Sequence, residues 1–83
     1  MHAYSSAFRA LLSKELKAFR QTRQLTQEAM SQSLYISSRS YVDLEQEKYL
    51  CSTCVFILYI VMLSEREVLA LVGALRAAAG REP

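Results

Sequence analysis

Hydrophobic side chains recur along the chain at intervals of three or four residues, and no segment sustains the alternation of a β-strand. This spacing is typical of amphipathic helices, which bury one face against the rest of the protein. A first helix is predicted over residues 6–23, capped by Ser5 or Ser6. Its apolar stripe comprises Tyr4, Phe8, Leu12, Leu16 and Phe19. Arg20 flanks that stripe, so we expect its guanidinium to be partly buried and to bind a carboxylate.

Two short helices are predicted next, separated by only a few residues. Thr26 is a good N-cap for the second helix, which should end near Leu34, and Ser37 can cap a third helix that runs to about Glu45. The third helix should bury Tyr41 and Leu44 and expose Ser38, Arg39, Val42, Asp43 and Gln46. Because the joint is short, the two helices cannot lie antiparallel and are expected to cross steeply.

The last third of the chain predicts two more helices. The fourth begins at Ser52 or Thr53 and covers "CVFILYIVML", which is apolar all round and should be buried on every side, by its own domain or by a second copy. Ser64 opens the fifth helix, with Glu67 three positions on as a capping box. Its apolar stripe comprises Val68, Leu69, Leu71, Val72 and Leu75. The whole chain is therefore predicted to be one compact, all-α, five-helix domain.

Composition and charge narrow the classes of function. At 83 residues with two glycines and one proline, the chain suits a helical binding module and is too short for a large enclosed active site. We expect no enzyme and no cofactor. Residues 1–23 carry five Lys or Arg and one Glu, residues 24–48 carry two basic and four acidic side chains, and residues 49–83 are balanced. Any surface that attracts polyanions therefore depends on the first segment.

A further pattern extends over about residues 16–63 and includes "LKAFRQTRQLTQEAMSQSLYISSRSYVDLEQEK". Its elements are Leu25-Thr26-Gln27-Glu28, a small residue at Ser31, Leu34, Ile36-Ser37, a bulky residue at Tyr41, Leu44-Glu45 and Lys48. With these residues the chain resembles the DNA-binding helix-turn-helix domain of phage repressor and Cro proteins, the motif itself spanning about residues 26–46. The resemblance implies a double-stranded DNA partner whose major groove receives the third helix.

The resemblance also implies roles for individual side chains. Gln27 would contact a phosphate, and the outward face of the recognition helix would hold Ser37, Ser38, Arg39, Val42 and Asp43. Arg39 is the leading base contact, because its fork can donate to both O6 and N7 of a guanine. Ser40 and Lys48 would touch the DNA backbone. In the family an Arg late in the first helix pairs with the Glu near the end of the recognition helix, and Arg20 and Glu45 match these positions.

Three departures from the family pattern are visible. Tyr35 stands where glycine is usual, at a position that tends to need positive φ, so the turn is either strained by about 1 kcal/mol or built differently. "EQEK" replaces the usual Glu-Arg-Gly-Lys and removes both a basic residue and a glycine cap. Asp43 and Glu47 add negative charge near the expected path of the phosphates.

The interpretation that follows is a homodimeric, sequence-specific transcription regulator. Helices four and five, about residues 52–79, would supply core and dimer seam, with Phe56, Tyr59, Ile60, Leu63, Leu69 and Val72 at the interface. The alternative is a protein-interaction module on the same scaffold, antitoxin-like or phage-encoded, that does not bind DNA. Its basis is the −2 charge of residues 24–48 and the apolar second half of the chain.

Two remaining motifs predict little chemistry. "CSTC" has the spacing of half a zinc site, but the only histidine is His2 and there is no second ligand pair. We expect Cys51 in a loop and Cys54 on the fourth helix, with redox sensing or a metal shared between subunits as the alternatives. "VFILYIVML" is nine residues long, about half of what spans a bilayer, and no secretory signal precedes it. A cytoplasmic protein is expected.

Overall fold

The computed structural model describes residues 3–80, with side chains from residue 6 onward. Five helices follow one another: α1 (Ala3–Thr22), α2 (Gln27–Ser33), α3 (Ser38–Glu45), α4 (Thr53–Met62) and α5 (Glu65–Gly80). No strand occurs within these residues. The radius of gyration is 12.4 Å, close to the value of about 12 Å expected for a compact chain of this length. The prediction of an all-α, five-helix chain is confirmed.

Local side-chain caps begin four of the five helices. The hydroxyls of Thr26, Ser37 and Ser52 each accept a hydrogen bond from the backbone N–H three residues on. Ser64 and Glu67 form the predicted capping box in both directions, at 2.8 and 3.2 Å. Each cap satisfies backbone donors that the helix itself leaves unpaired, which is why the sequence marks these starts clearly.

The start of α1 differs from its prediction. The helix begins at Ala3, so Ser5 and Ser6 lie inside it and not at its N-cap position. Alanine is a stronger helix former than serine, and neither glycine nor proline interrupts this stretch, so the helix extends past the predicted caps. The side chain of Tyr4, predicted to belong to the apolar stripe, lies outside the described residues.

The first three helices end in the same kind of turn, without glycine. Gln24, Tyr35 and Glu47 adopt φ of 57°, 58° and 63°. After each of them a backbone N–H bonds back to a carbonyl five residues earlier: Leu25 to Arg20 at 2.9 Å, Ile36 to Ser31 at 3.0 Å, and Lys48 to Asp43 at 3.0 Å. This is the Schellman arrangement, in which glycine usually takes the left-handed position because a Cβ is disfavoured there. Of the two alternatives for Tyr35, the structure has the strained one.

Helix α1 packs against both α3 and α5, and α2 packs against α3. The buried core comprises Leu12, Leu16, Phe19, Met30, Leu34, Tyr41, Leu44, Val55, Tyr59 and Leu71. Phe19 and Tyr59 meet edge to face, with ring centroids 5.6 Å apart. Ser31 is buried between α2 and α3, its hydroxyl 3.5 Å from that of Ser38, so a small residue fills the helix crossing as predicted.

Helix α4 is not buried on every side by its own domain, so of the two predicted alternatives burial by a second copy is the one that stays a prediction. Val55 and Tyr59 face the core, but Ile57 and Val61 are 55% and 75% exposed, and Leu69 on α5 is 73% exposed. An apolar helix at the edge of a small domain has neighbours on one side only, and five helices are too few to cover the other. Tyr59, predicted at the dimer seam, is a core residue of its own chain.

Cys51 lies in the loop before α4 and Cys54 on α4 itself, as predicted. Cys51 and Cys54 are free thiols, Cys51 half-buried and Cys54 exposed, and burial raises the pKa of the Cys51 thiol. Among residues 3–80 no group of three His, Cys, Asp or Glu side chains could hold a metal ion, and His2 lies outside them. No helix in this part of the chain combines the length and hydrophobicity needed to cross a membrane.

Candidate nucleic-acid interface

The inner face of α3 is fixed by the buried carboxylate of Glu45. Arg20 on α1 approaches it with two nitrogens, Nε at 2.7 Å from Oε2 and Nη2 at 3.3 Å from Oε1. The Tyr41 hydroxyl donates to Oε2 from one turn earlier on α3, and the Gln27 amide donates to Oε1 from α2 at 3.1 Å. One carboxylate therefore joins three helices.

We call the cluster of Glu45, Arg20, Tyr41 and Gln27 the polar joint, and two backbone carbonyls extend it. Arg20 Nη1 donates to the carbonyl oxygen of Leu25 at 3.1 Å, which holds the turn between α1 and α2. The hydroxyl of Ser13 donates to the carbonyl oxygen of Glu45 at 2.6 Å. This carbonyl lies at the end of α3, where the helix has no further N–H group to bond it. The orientation of α3 against α1 is thus set at both the side chain and the backbone of residue 45.

The protonation states follow from this geometry. Burial alone would raise the pKa of the Glu45 carboxyl, but hydrogen bonds from Arg20, Tyr41 and Gln27 outweigh it and the pKa lies below its ordinary value. The hydrogen bond to Glu45 raises the pKa of Arg20 against the effect of burial. Burial first, and then Glu45, raise the pKa of Tyr41 well above its ordinary value, so its hydroxyl keeps the proton that it donates.

The opposite face of α3 is open at its N-terminal end. Ser37 caps the helix, its hydroxyl accepting from the N–H of Ser40 and donating to the Ser40 hydroxyl, both at 3.0 Å. Ser38 is exposed, and the Arg39 side chain is 80% exposed. Arg39 therefore stands on the free side of a helix whose other side is fixed in the core.

Three of the predicted contact residues form one charged cluster. Asp43 Oδ1 lies 3.5 Å from Arg39 Nε and 3.4 Å from Lys48 Nζ. The Asp43 side chain is only 20% exposed, and Oδ1 is shielded from water without a hydrogen-bond partner. Asp43 was predicted on the outward face of α3. It lies there beside the exposed Arg39, but the two cationic side chains cover its carboxylate.

The other predicted contact residues are placed differently. The Gln27 amide donates to Glu45, which uses one of its two N–H donors and makes its side chain part of the polar joint. Ser40 is half-buried, and its carbonyl accepts from the Tyr49 hydroxyl at 2.9 Å. Val42 is half-buried as well. The structure thus brings Arg39, Asp43 and Lys48 together and separates Gln27 from them.

Sequence reasoning missed two donors in the polar joint. Tyr41 was predicted only as a buried apolar residue, yet its hydroxyl bonds Glu45 at the i, i+4 spacing that places side chains on one helix face. That spacing was visible in the sequence. Ser13 is 32 residues from Glu45 along the chain, and no local signal joins them.

Comparisons with known proteins do not assign this chain to a family. No protein-family model, no curated protein and no solved structure matches the chain.

Proposed function

We propose that the chain is a DNA-binding regulator of the helix-turn-helix type that reads the major groove with α3. The observation that carries the proposal is Arg39, 80% exposed on a helix whose opposite face is anchored through Glu45. A rigidly mounted helix with an exposed arginine near its N-terminus fits base recognition, since the guanidinium can donate to O6 and N7 of one guanine.

The dimensions of α3 support the same function. Eight residues make a helix about 12 Å long, and the major groove is about 12 Å wide. Arg39 and Lys48 supply two positive charges on this side, against Asp43 and Glu47. Because the local charge balances, recognition would depend more on placed contacts than on long-range attraction.

A homodimer is part of the proposal. One small module buries about 600–1,000 Å² of protein surface on DNA, so two copies on half-sites about 34 Å apart would supply the remaining affinity. Exposed apolar side chains on α4 and α5 support a seam there, namely Ile57, Val61, Leu69 and Val72. Of the predicted seam, Phe56, Ile60 and Leu63 are half-buried and would contribute their edges.

The DNA proposal is tested by fluorescence anisotropy on a random-sequence duplex at low salt. We expect binding that weakens linearly on a log–log plot against salt, with a slope of about −0.9 per phosphate contacted. Sequences enriched by the protein from a random pool should contain preferred G·C pairs. Arg39→Ala should lose that preference and keep its helical circular dichroism.

Arg76→Ala is the matched control, since it removes the same charge from an exposed position on α5. It should keep the sequence preference of the wild type. A folded wild-type protein that binds no duplex at low salt would overturn the proposal. An Arg39→Ala variant with unchanged preference would remove Arg39 from its role.

A second candidate, a protein-interaction module without DNA binding, is favoured by the same exposed apolar side chains. Val61 and Leu69 are about three-quarters exposed, and residues 24–48 carry two basic against four acidic side chains. A contact made by apolar surface depends little on ionic strength, whereas DNA binding depends on it steeply. Two results together would favour this candidate. The folded protein would bind no duplex DNA, and it would form a self-association or partner complex that is insensitive to salt and that Val61→Glu weakens.

A further inference from the structure

The cluster around Asp43 has an asymmetry that bears on how Arg39 is presented. Asp43 Oδ1 lies 3.5 Å from Nε of the guanidinium, at the i, i+4 spacing on α3. The guanidinium carries five N–H donors, and four of them belong to the two terminal nitrogens. An acidic partner at Nε therefore leaves the whole outer fork available for an external acceptor.

Lys48 is the second cation close to Asp43 Oδ1. The backbone N–H of Lys48 bonds to the Asp43 carbonyl at 3.0 Å through the turn at Glu47, and its Nζ lies 3.4 Å from Asp43 Oδ1. Two cations therefore lie close to the same carboxylate oxygen, and Lys48 contacts Asp43 through both its backbone and its side chain. Such an arrangement keeps Oδ1 in place when Arg39 moves.

The shielding of Oδ1 indicates what this carboxylate does. A buried carboxylate oxygen is normally hydrogen-bonded, and Oδ1 has no such bond, only the two cations near it. Its electrostatic field therefore acts on Arg39 and Lys48 rather than on water. The pairing is weak while Arg39 is 80% exposed, and it strengthens when a ligand excludes water from the cluster.

We infer that Asp43 is a positioning residue for Arg39, one that holds the Nε edge of the guanidinium so that the terminal fork meets O6 and N7 of a single guanine. This inference rests on the proposed DNA binding. It changes the role of Asp43 from a base contact to a determinant of base preference that acts through Arg39. Without the carboxylate, the long arginine side chain would reach phosphates and bases alike.

The test compares two duplexes bound by the wild-type protein and its variants. One is the duplex that the wild type enriches from a random pool, and the other carries A·T in place of the preferred G·C pair. The wild type should discriminate between them by about tenfold, the range of one bidentate arginine contact. Asp43→Asn should reduce this ratio to about twofold. The same variant should bind a random duplex more tightly. Its salt slope should be steeper by about 0.9, because Arg39, no longer paired with the Asp43 carboxylate, can neutralise one more phosphate.

Glu47→Gln is the matched control, as it removes a nearby exposed negative charge that is not paired with Arg39. It should tighten binding to both duplexes and leave their ratio unchanged. Asp43→Glu restores the charge with a longer arm and should recover part of the ratio. In the double variant Arg39→Ala, Asp43→Asn, the ratio should equal that of Arg39→Ala alone.

The outcomes separate this inference from the function on which it rests. A wild-type ratio near tenfold that Asp43→Asn leaves intact would overturn the positioning role and keep DNA binding. Effects of Asp43→Asn and Arg39→Ala that multiply independently would overturn it too. A wild-type protein that binds neither duplex would overturn both proposals together. Thermal unfolding of each variant shows whether a change in the ratio comes from a folded protein.

Discussion

Two arginine–glutamate pairs start from the same helix and differ in almost everything except their chemistry. Arg20 binds Glu45 at the joint of α1 and α3, with side chains 17% and 3% exposed. Arg23, in the turn just after α1, binds Glu67 on α5 with two 3.0 Å bonds, and both side chains are 37% exposed. The comparison separates the effect of burial from that of geometry.

The surroundings of the two pairs differ as much as their exposure. Glu45 has further donors in Tyr41 and Gln27, so its buried oxygens are satisfied. The Arg23 guanidinium instead lies 3.9 Å from the centroid of the Phe19 ring, and water reaches both partners. A buried pair is costly to break because each partner is left charged in a poor solvent, whereas an exposed pair is replaced by hydration. Equal hydrogen-bond geometry therefore does not mean equal contribution to stability.

The largest expected effect comes from breaking the buried pair. Glu45→Ala should lower the free energy of unfolding by about 3 kcal/mol, because Arg20, Tyr41 and Gln27 all lose their acceptor. Urea denaturation followed by circular dichroism measures the change. The control is Glu67→Gln, which should shift the midpoint much less. A loss below about 0.5 kcal/mol for Glu45→Ala would show that water replaces the carboxylate and that the joint is not rigid.

Both pairs should contribute to the loss of stability at acid pH. The pKa of Glu45 is below its ordinary value, and the Arg23 guanidinium holds the pKa of Glu67 at about 2. Each carboxyl binds protons more readily when unfolded, so its stabilising effect is full above pH 4.5 and is lost as the pH falls toward the folded value. Denaturation between pH 6 and pH 2 should therefore show falling stability, and Glu45→Gln should remove the part of that fall that comes from Glu45. An unchanged acid slope in this variant would contradict the shift.

Glycine substitutions in the turns beside the two pairs should change the stability by similar amounts, whereas breaking the two pairs should not. Gln24 follows Arg23 and Glu47 follows Glu45, both at positive φ without glycine. Gln24→Gly and Glu47→Gly should each raise the stability by about 0.5–1 kcal/mol, because relief of left-handed strain exceeds the added entropy of the unfolded chain. Urea midpoints measure both, and the Ala variants at the same positions should show little gain. Unequal gains would show that side-chain contacts at these turns also contribute.

The smallest effect should come from Glu67→Gln. Glutamine keeps one oxygen to accept the capping bond from Ser64, but it loses the charge and replaces the acceptor of the Arg23 Nη1 bond by an amide donor, so the change breaks the ion pair and leaves the cap. Its small destabilisation should disappear at about 1 M salt, where the screening length is about 3 Å. The effect of Glu45→Ala should persist there, because buried charges are screened much less. A Glu67→Gln effect that survives high salt would show that the exposed pair behaves like the buried one.

The local features were the predictable ones. Thr26, Ser37, Ser52 and Ser64 were readable as helix starts because a cap acts on N–H groups within three residues. The proposal that Arg20 needs a carboxylate also came from periodicity within one helix. The placement of Glu45 as its partner followed from the family resemblance, and the structure puts the two side chains in direct contact.

Other features depended on parts of the chain that are distant in sequence. Nothing near Ser13 indicates that it bonds the end of α3, and nothing near Gln27 indicates that its amide turns toward Glu45 rather than outward. The exposure of Ile57 and Val61 was equally unpredictable, because an all-apolar helix has no polar face to show which side lacks a neighbour.

The amino-acid sequence alone determined the five helices and most of their N-terminal boundaries, since these follow from hydrogen bonds and periodicity within one or two turns. The tertiary structure decided which side chains are available. It committed Gln27 to the polar joint and folded Arg39 and Lys48 over Asp43. Availability is a property of packing, in which a side chain is covered or left open by elements far away in sequence, and no local pattern encodes it.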